Sequence, residues 1–296
     1  MAYSTTKIDL NRGSNSMALP PELSREVWAA VEHESAVMQL AQRVNLPGRG
    51  QSIPVISADA TATFIAESTE KHVSNATVSL KTMTPYKVAC IELFSEEFIR
   101  DLDGLYEELV RRAPAAIAKA FDSTVFHGTA PGTGFDVLTS ATAVGISDGV
   151  SQTTYGQLVS ALETIATYGN MNGIALAPQG KAIILGAVDQ AGRPIFIDSA
   201  RDGEIGRILG SRVVDASETY VSGTPNVVGI AGDWTQARYG IVNGINISVS
   251  RDATVNDGTN QINLWQRNMV GIRVEAEVGF VVRQAGAFVR LTDAAS

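Results

Sequence analysis

From Val270 to Phe280 the chain alternates without a break. Val270, Ile272, Val274, Ala276, Val278 and Phe280 take one side of an extended backbone, and Gly271, Arg273, Glu275 and Glu277 take the other. Successive side chains of a β-strand point to opposite faces, so the pattern predicts a strand about ten residues long with one buried and one charged face. Ala287-Phe288-Val289-Arg290-Leu291 supplies a last strand.

A second β-rich stretch begins where Pro47-Gly48-Arg49-Gly50 breaks the chain and runs to about Leu93. Thr61, Thr63, Ile65, Thr77, Val78, Val88 and Ile91 are β-branched, and Val78, Leu80 and Thr82 alternate with Ser79, Lys81 and Met83. The polar middle, Glu67-Ser68-Thr69-Glu70-Lys71-His72, reads as the tip of a long hairpin. A lone two-stranded ribbon is marginal in water. Either the chain's own body or a neighbouring copy must therefore cover it.

Helical spacing marks three other regions. Leu23, Val27, Ala30, Val31, Val37, Leu40 and Ala41 predict a helix from about Glu22 to Val44. Ser95, followed by Glu96 and Glu97, reads as an N-cap with acidic residues in the first turn. Phe98, Leu102, Leu105, Leu109, Ile117, Phe121 and Val125 then line one face of a long helix ending near Gly128. Asp103-Gly104 and Pro114 disturb it; a proline in a helix interior costs ~3 kcal/mol or forces a bend, so two pieces or one curved helix are expected. Thr154 is read as the cap of a third helix carrying Leu158, Leu162 and Ile165 and closing at Gly169.

Strand readings at 174–177, 195–197, 212–214 and 227–231, a helix after Pro178 and a turn at 189–194 make residues 130–245 one α/β region. Residues 1–20, rich in Ser, Thr and Asn, read as an extended arm that orders against a partner.

Charge and composition remove several functions. The net charge is −8 and basic residues stand singly or in pairs such as Arg111-Arg112, so the basic stripe that grips phosphates is missing. Cys90 is the one cysteine, which rules out an intrachain disulfide, and its apolar setting reads as a small buried hydrophobe. No stretch approaches the ~20 apolar residues of a membrane span. The first residues lack a secretory pattern, so the protein is expected to stay in a cytoplasm until assembly. His33, His72 and His127 share no metal-ligand spacing with Cys90 or one another, and Gly180-Lys181-Ala182 lacks the Ser or Thr of a phosphate loop. A hydrolase carried on residues 130–245 would need a nucleophile and its base there, yet that region has neither His nor Cys. Neither catalytic, cofactor nor metal residues are assigned. Trp28, Trp234 and Trp265 read as core or interface anchors.

Several short motifs then fall in a recognisable order. They are Leu19-Pro20 before an acidic helix, Ser52-Ile53-Pro54 into a hairpin with Phe64-Ile65-Ala66-Glu67, and Thr84-Pro85-Tyr86-Lys87-Val88 into Glu92-Leu93-Phe94-Ser95-Glu96-Glu97. Asp189-Gln190-Ala191-Gly192-Arg193-Pro194-Ile195, Gly210-Ser211-Arg212-Val213-Val214, and Gly232-Asp233-Trp234 with Tyr239-Gly240-Ile241 follow. The series ends in Leu264-Trp265-Gln266-Arg267 through Arg273 and Ala287–Leu291. Over nearly the whole chain this order resembles the major capsid proteins of tailed bacteriophages.

The resemblance implies an α+β chain of the Hong Kong 97-like capsid fold. Its expected parts are an N-terminal arm, an extended β-hairpin E-loop, a peripheral domain with a long spine helix and β-strands, and an α/β axial domain. The corresponding boundaries are 1–45 for the arm and short helix, 46–92 for the E-loop, 93–129 for the spine helix, 130–245 for the axial domain and 246–296 for the closing strands of the peripheral domain.

It also implies a structural, non-enzymatic coat protein that self-assembles into hexamers and pentamers of an icosahedral head. Double-stranded DNA is enclosed without sequence-specific binding, a portal protein occupies one vertex, and the virion assembles in a bacterial host's cytoplasm. Some relatives carry an N-terminal scaffolding segment, whereas here Met1 opens on the arm, so a separate scaffolding protein, or none, is expected. An encapsulin-type nanocompartment shell is the alternative, distinguished by a cargo enzyme in place of DNA. A weakly repelling acidic wall suits DNA being reeled in. The expected contacts between copies join Glu67, Glu70 and Lys71 of the hairpin to Arg273, Glu275 and Glu277 of a neighbour, with Arg267 as a further contact candidate. Some relatives weld neighbours through a Lys–Asn isopeptide bond; Lys71 and Lys81 are both candidates, and no partner Asn is assigned.

Overall fold

The computed structural model describes residues 31, 35–58, 62–65, 67, 70–74, 77–96, 105–147, 153–188, 193, 195, 206–242, 245–256, 258 and 260–295. By their contacts these fall into two units, one holding Lys87–Ile117 and Asn243–Ala276, the other Glu32–Tyr86, Ala118–Val242 and Glu277–Ser296.

In the first unit the alternating segment forms the leading part of a 14-residue strand, β14 (Met269–Val282). β11 (Asn246–Ser250) runs antiparallel to it, with Asn246 opposite Glu275 and Ser250 opposite Gly271. β4 (Tyr86–Ser95) pairs with the same strand. Val270, Ile272, Val274 and Ala276 are buried with Ile247 and Leu264, whereas Arg273 is exposed. Each such side chain taken fully out of water stabilises by roughly 1.5–3 kcal/mol, which is why the period-two pattern fixes which way the strand faces. A short ribbon of β12 (Thr254–Asn256) and β13 (Gln261–Asn263) completes this unit's strands among the described residues.

The second unit is built on a 6-stranded sheet. Its strands are β5 (Thr142–Ser147), β6 (Gly173–Leu176), β7 (Arg207–Ile208), β8 (Ser211–Asp215), β9 (Val227–Gly232) and β15 (Phe288–Ala295), in the order β5-β15-β9-β6-β8-β7. β15 is parallel to β5, and β6 is parallel to β8; β9 runs antiparallel to both its neighbours. The helix Thr154–Ala166 buries Gln157, Leu158, Ala161 and Ile165, the three-and-four spacing that gives one face to the sheet. Pro178 opens the helix Pro178–Leu185, where its missing N–H costs nothing. Asp233 ties the end of β9 to the loop before β6: its carboxylate accepts from the backbone N–H groups of Asn170 and Thr235 and from Asn172 Nδ2. Trp234 is buried and donates from Nε1 to the Gly173 carbonyl at 3.0 Å.

The same unit holds β1 (Gln42–Asn45), parallel to β10 (Ala237–Ile241), which in turn is antiparallel to the second half of β14. Phe121, Phe135 and Phe280 meet there, with Phe121 edge-on to each of the others at ring separations of 6.3 Å.

The structure corrects several expectations. The helix read as running to Val44 covers Ala36–Leu40 in the described region, and Gln42–Asn45 is strand, because pairing with β10 overrides a loose helical spacing. Residues 1–30 lie outside the described set, and with them the arm and the expected helix start. Thr84-Pro85 separates β3 (Thr77–Met83) from β4, so the hairpin's return strand is β3 and not the Thr84–Val88 stretch. Ser95 closes β4, and residues 97–104, where the expected first turn falls, are not described. The helix Leu105–His127 continues through Pro114 as one 23-residue element, so the two-piece outcome is excluded. Thr153, not Thr154, is the N-cap of the next helix, accepting from the Gly156 N–H at 3.4 Å. Most of the 189–197 turn and strand lies outside the described residues. The closing strand β15, grouped by sequence with residues 246–296, sits inside the sheet of the 130–245 stretch, between β5 and β9. Its pairing is non-local, and no local pattern reports it.

Candidate functional site

The hairpin expected from sequence is present. β2 (Gln51–Ala58) runs antiparallel to β3, with Gln51 opposite Met83, Ile53 opposite Lys81 and Val55 opposite Ser79. Its root is buried: Ile53 and Met83 join Leu46 and Val281 in a small apolar cluster, with Val242 against it. Two glycines make room for that root. A Cβ on Gly240 would stand 2.7 Å from Leu46 Cβ and 3.0 Å from Met83 Sδ; one on Gly279 would stand 2.8 Å from Leu46 Cδ2 and 3.0 Å from Met83 Cγ.

A polar clamp lies beside the apolar one. Lys81 Nζ donates to the Val282 carbonyl at 2.6 Å and pairs with Asp136 Oδ2 at 2.6 Å. The same Asp136 oxygen accepts from the Val282 N–H at 2.8 Å. Thr84 N–H donates to the Gly134 carbonyl and Tyr86 Oη to the Thr133 carbonyl, so the 133–136 loop holds the hairpin's exit. Gly134 has φ +83, a left-handed conformation that favours glycine. Of the two lysines weighed for a covalent weld, Lys81 is thus engaged within its own chain, and Lys71 is exposed.

Beyond the root the ribbon shows apolar side chains to solvent: Leu80 is 72% exposed, Val73 82%, and Phe64 fully. Glu67, Glu70 and Lys71 are exposed among them. Large apolar groups gathered on a projecting arm mark a contact surface, since nothing in water rewards their display.

The strand face expected to receive the hairpin is in part satisfied locally. Arg273 Nε lies 3.1 Å from Glu275 Oε1 and donates to Ser248 Oγ at 3.1 Å. Glu275 and Glu277 are half-buried, and Arg267 is exposed in the turn before β14. The structure brings Arg273 and Glu275 together as a pair.

A feature that sequence left ambiguous is Trp265. Trp234 is core, but Trp265 is 71% exposed and borders an open cleft of about 570 Å3 with Glu96, Arg251, Asp252 and Met269. Arg251 Nε and Glu96 Oε1 stand 3.6 Å apart on its rim. A more apolar cleft of about 320 Å3 carries Ile91, Val255, Leu264 and Arg273. Trp28 lies outside the described residues.

Cys90 is half-buried on β4, its thiol pushed up by burial and by the nearby Glu92 carboxylate, so it is a poor nucleophile. His72 and His127 are exposed. Among the described residues no three His, Cys, Asp or Glu side chains gather as metal ligands, and no helix is long and apolar enough to cross a membrane. The chemistry on display is that of recognition: an apolar arm, an exposed indole and a charged strand face.

The sequence matches the model of the phage capsid family over residues 15–293. It is 35% identical to the probable major capsid protein gp17 of Mycobacterium phage D29, covering 94% of this chain and 91% of that protein. It is 34% identical to the probable major capsid protein gp17 of Mycobacterium phage L5, over 93% and 89% respectively. In three dimensions it resembles a solved chain from Gordonia phage Cozz, with a TM-score of 0.71 at 22% identity over 88% of this chain and 87% of that one. With its α+β architecture shared in this way and its sequence matched almost end to end, the chain belongs to the phage capsid family.

Proposed function

We infer that this chain is a major capsid protein, a structural subunit that self-assembles into the icosahedral head enclosing phage double-stranded DNA. The observation that carries the reading is the 35% identity over 94% of the chain to the D29 protein, whose name gives that role. Relatives named as phage coat proteins favour a DNA-filled head over an encapsulin-type compartment.

Physical features support it. A closed shell is made of repeated contacts between identical subunits, arranged head to tail around rings. A ribbon whose root is buried and whose outer apolar groups face solvent suits such a contact, because its ordering and the burial of Phe64, Val73 and Leu80 are coupled to a neighbour's arrival. In this reading residues 46–92 are the E-loop, the helix ending at His127 is the spine, the 130–245 stretch with β15 is the axial domain, and the β11–β14 region belongs to the peripheral domain. Subunits group as hexamers and pentamers, a separate scaffolding protein guides assembly in the host cytoplasm, and a portal occupies one vertex. The subunit performs no catalysis and holds its DNA without base contacts. Lys71, Glu67 and Glu70 meet the neighbour's Arg273, Glu275 and Glu277, with Arg267 at the rim. Trp265 is covered in the same event.

Negative-stain microscopy of the expressed chain, alone and with a scaffolding partner, tests this reading. Closed shells are expected. A compact monomer with the ribbon folded onto its own body under all conditions would overturn it.

A further inference from the structure

Ser35 is fully buried and Asp122 is 3% exposed. Ser35 precedes the short helix Ala36–Leu40, and Asp122 lies on the long helix, 87 positions later. Ser35 Oγ donates to Asp122 Oδ1 at 2.5 Å, the Ala36 N–H to Oδ2 at 2.7 Å and the Val37 N–H to Oδ1 at 3.4 Å. Ser35 Oγ in turn accepts from the Met38 N–H at 3.1 Å. The first N–H groups of a helix have no acceptor within it. Here one buried carboxylate from a distant element supplies acceptors for two of them and fixes the capping hydroxyl as well.

We propose that the docking of segment 35–40 on the long helix is proton-linked: uptake of a solvent proton by Asp122 tightens it and loss of that proton slackens it. The polypeptide ahead of Ser35 is then held more firmly in acid than in alkali.

The sign follows from burial. Desolvation raises the docked Asp122 carboxyl to about 7, against an ordinary value of 3.8; the Ser35, Ala36 and Val37 donors pull it down, and the Glu218 carboxylate adds to the rise. A group that binds its proton more tightly when docked favours docking wherever that proton is on. Docking is strongest below the ordinary carboxyl value, weakens as pH rises towards about 7, and changes no further above it. The O–H···O bond between Ser35 and Asp122 survives in both states, since either oxygen can be the donor. Glu218 is the charged group that bears on Asp122 among the described residues. Glu32, His33 and Glu34 precede Ser35 in sequence but lie outside that set, so His33 needs its own control.

Amide hydrogen exchange at residues 36–38 of the 296-residue chain, corrected for the chemical rate at each pH, reads the docking directly. Protection should rise up to about tenfold per pH unit as pH falls from about 7 towards about 5. Asp122→Asn should flatten the profile, Ser35→Ala should move it to higher pH by removing a donor, and His33→Gln should leave it in place. A flat wild-type profile, one that persists in Asp122→Asn, or one that follows His33→Gln overturns the proposal. Where Asp122→Asn does not fold, the wild-type slope and the direction of the Ser35→Ala shift decide it.

Discussion

Gly240 and Gly279 stand directly opposite one another in the β10–β14 ladder, and both lie under Leu46 and Met83. Two missing side chains on adjacent strands make a notch, and the root of the hairpin fills it. The direction in which the ribbon leaves the body is therefore set by backbone contact, which is stiffer than any surface bond.

Gly279→Ala should displace that root. Its methyl group would meet Leu46 Cδ2 at 2.8 Å and the Thr84 carbonyl oxygen at 3.1 Å, and a backbone oxygen cannot rotate away. Overpacking of this kind costs about 1–3 kcal/mol. A lower denaturation midpoint together with a reduced yield of regular shells is expected; an unchanged midpoint would show that the notch yields freely.

Lys81→Met keeps the aliphatic stem and deletes the clamp to Asp136 and the Val282 carbonyl. Lys81 is partly exposed, so solvent screening reduces the ion-pair contribution, and a loss of about 1–2 kcal/mol is expected. A double-mutant cycle with Asp136→Asn in urea denaturation measures the coupling. Additive losses would mean that the two side chains act independently.

Lys71→Glu tests the pairing of the ribbon's tip with a neighbour's strand face. A several-fold fall in shell yield at low salt, a smaller one at high salt, and recovery in a Lys71→Glu, Glu277→Lys double variant are expected, because exposed charges are screened over about 10 Å at 0.1 M. Full assembly of the single variant at low salt would remove Lys71 from the contact.

Trp265 offers an optical readout. Trp234 is already buried within the subunit, so covering Trp265 on assembly should shift the emission to shorter wavelength, and Trp265→Phe should abolish the shift. A shift that survives the substitution places the contact elsewhere.

What could be read from sequence was what is local. β14 announced itself because a half-buried strand must alternate, and the hairpin because turn residues bracket two β-branched runs. Gly279 shows the limit. In the alternation it falls on the polar side, yet its role is to leave space for Leu46, whose approach depends on a segment more than two hundred positions away. β1 was hidden in the same way: Val37, Leu40 and Ala41 fit a helix, and only β10 explains why Gln42–Asn45 is extended. Of the expected contact residues, the strand-face group appears as a geometric unit through the Arg273–Glu275 pair. Lys81 could not be separated from Lys71 by spacing, because what distinguishes them is a carboxylate on another loop. Asp122 gave no signal at all, since an aspartate on a helix normally faces water and nothing near it in sequence points to Ser35.

The position of β15 has a consequence for how a subunit comes into being. Arg290 Nε donates to the Ala141 carbonyl at 3.0 Å across 149 positions of chain, and β5 joins its sheet through β15. During synthesis β5 emerges long before its partner exists, and the slot beside β9 stays empty until Phe288–Ala295 leaves the ribosome. A translation product cut short before Phe288 is left with raw strand edges that invite foreign pairing and proteolysis. The last-made strand thus acts as proofreading, withholding a finished sheet from any polypeptide too short to belong in a shell.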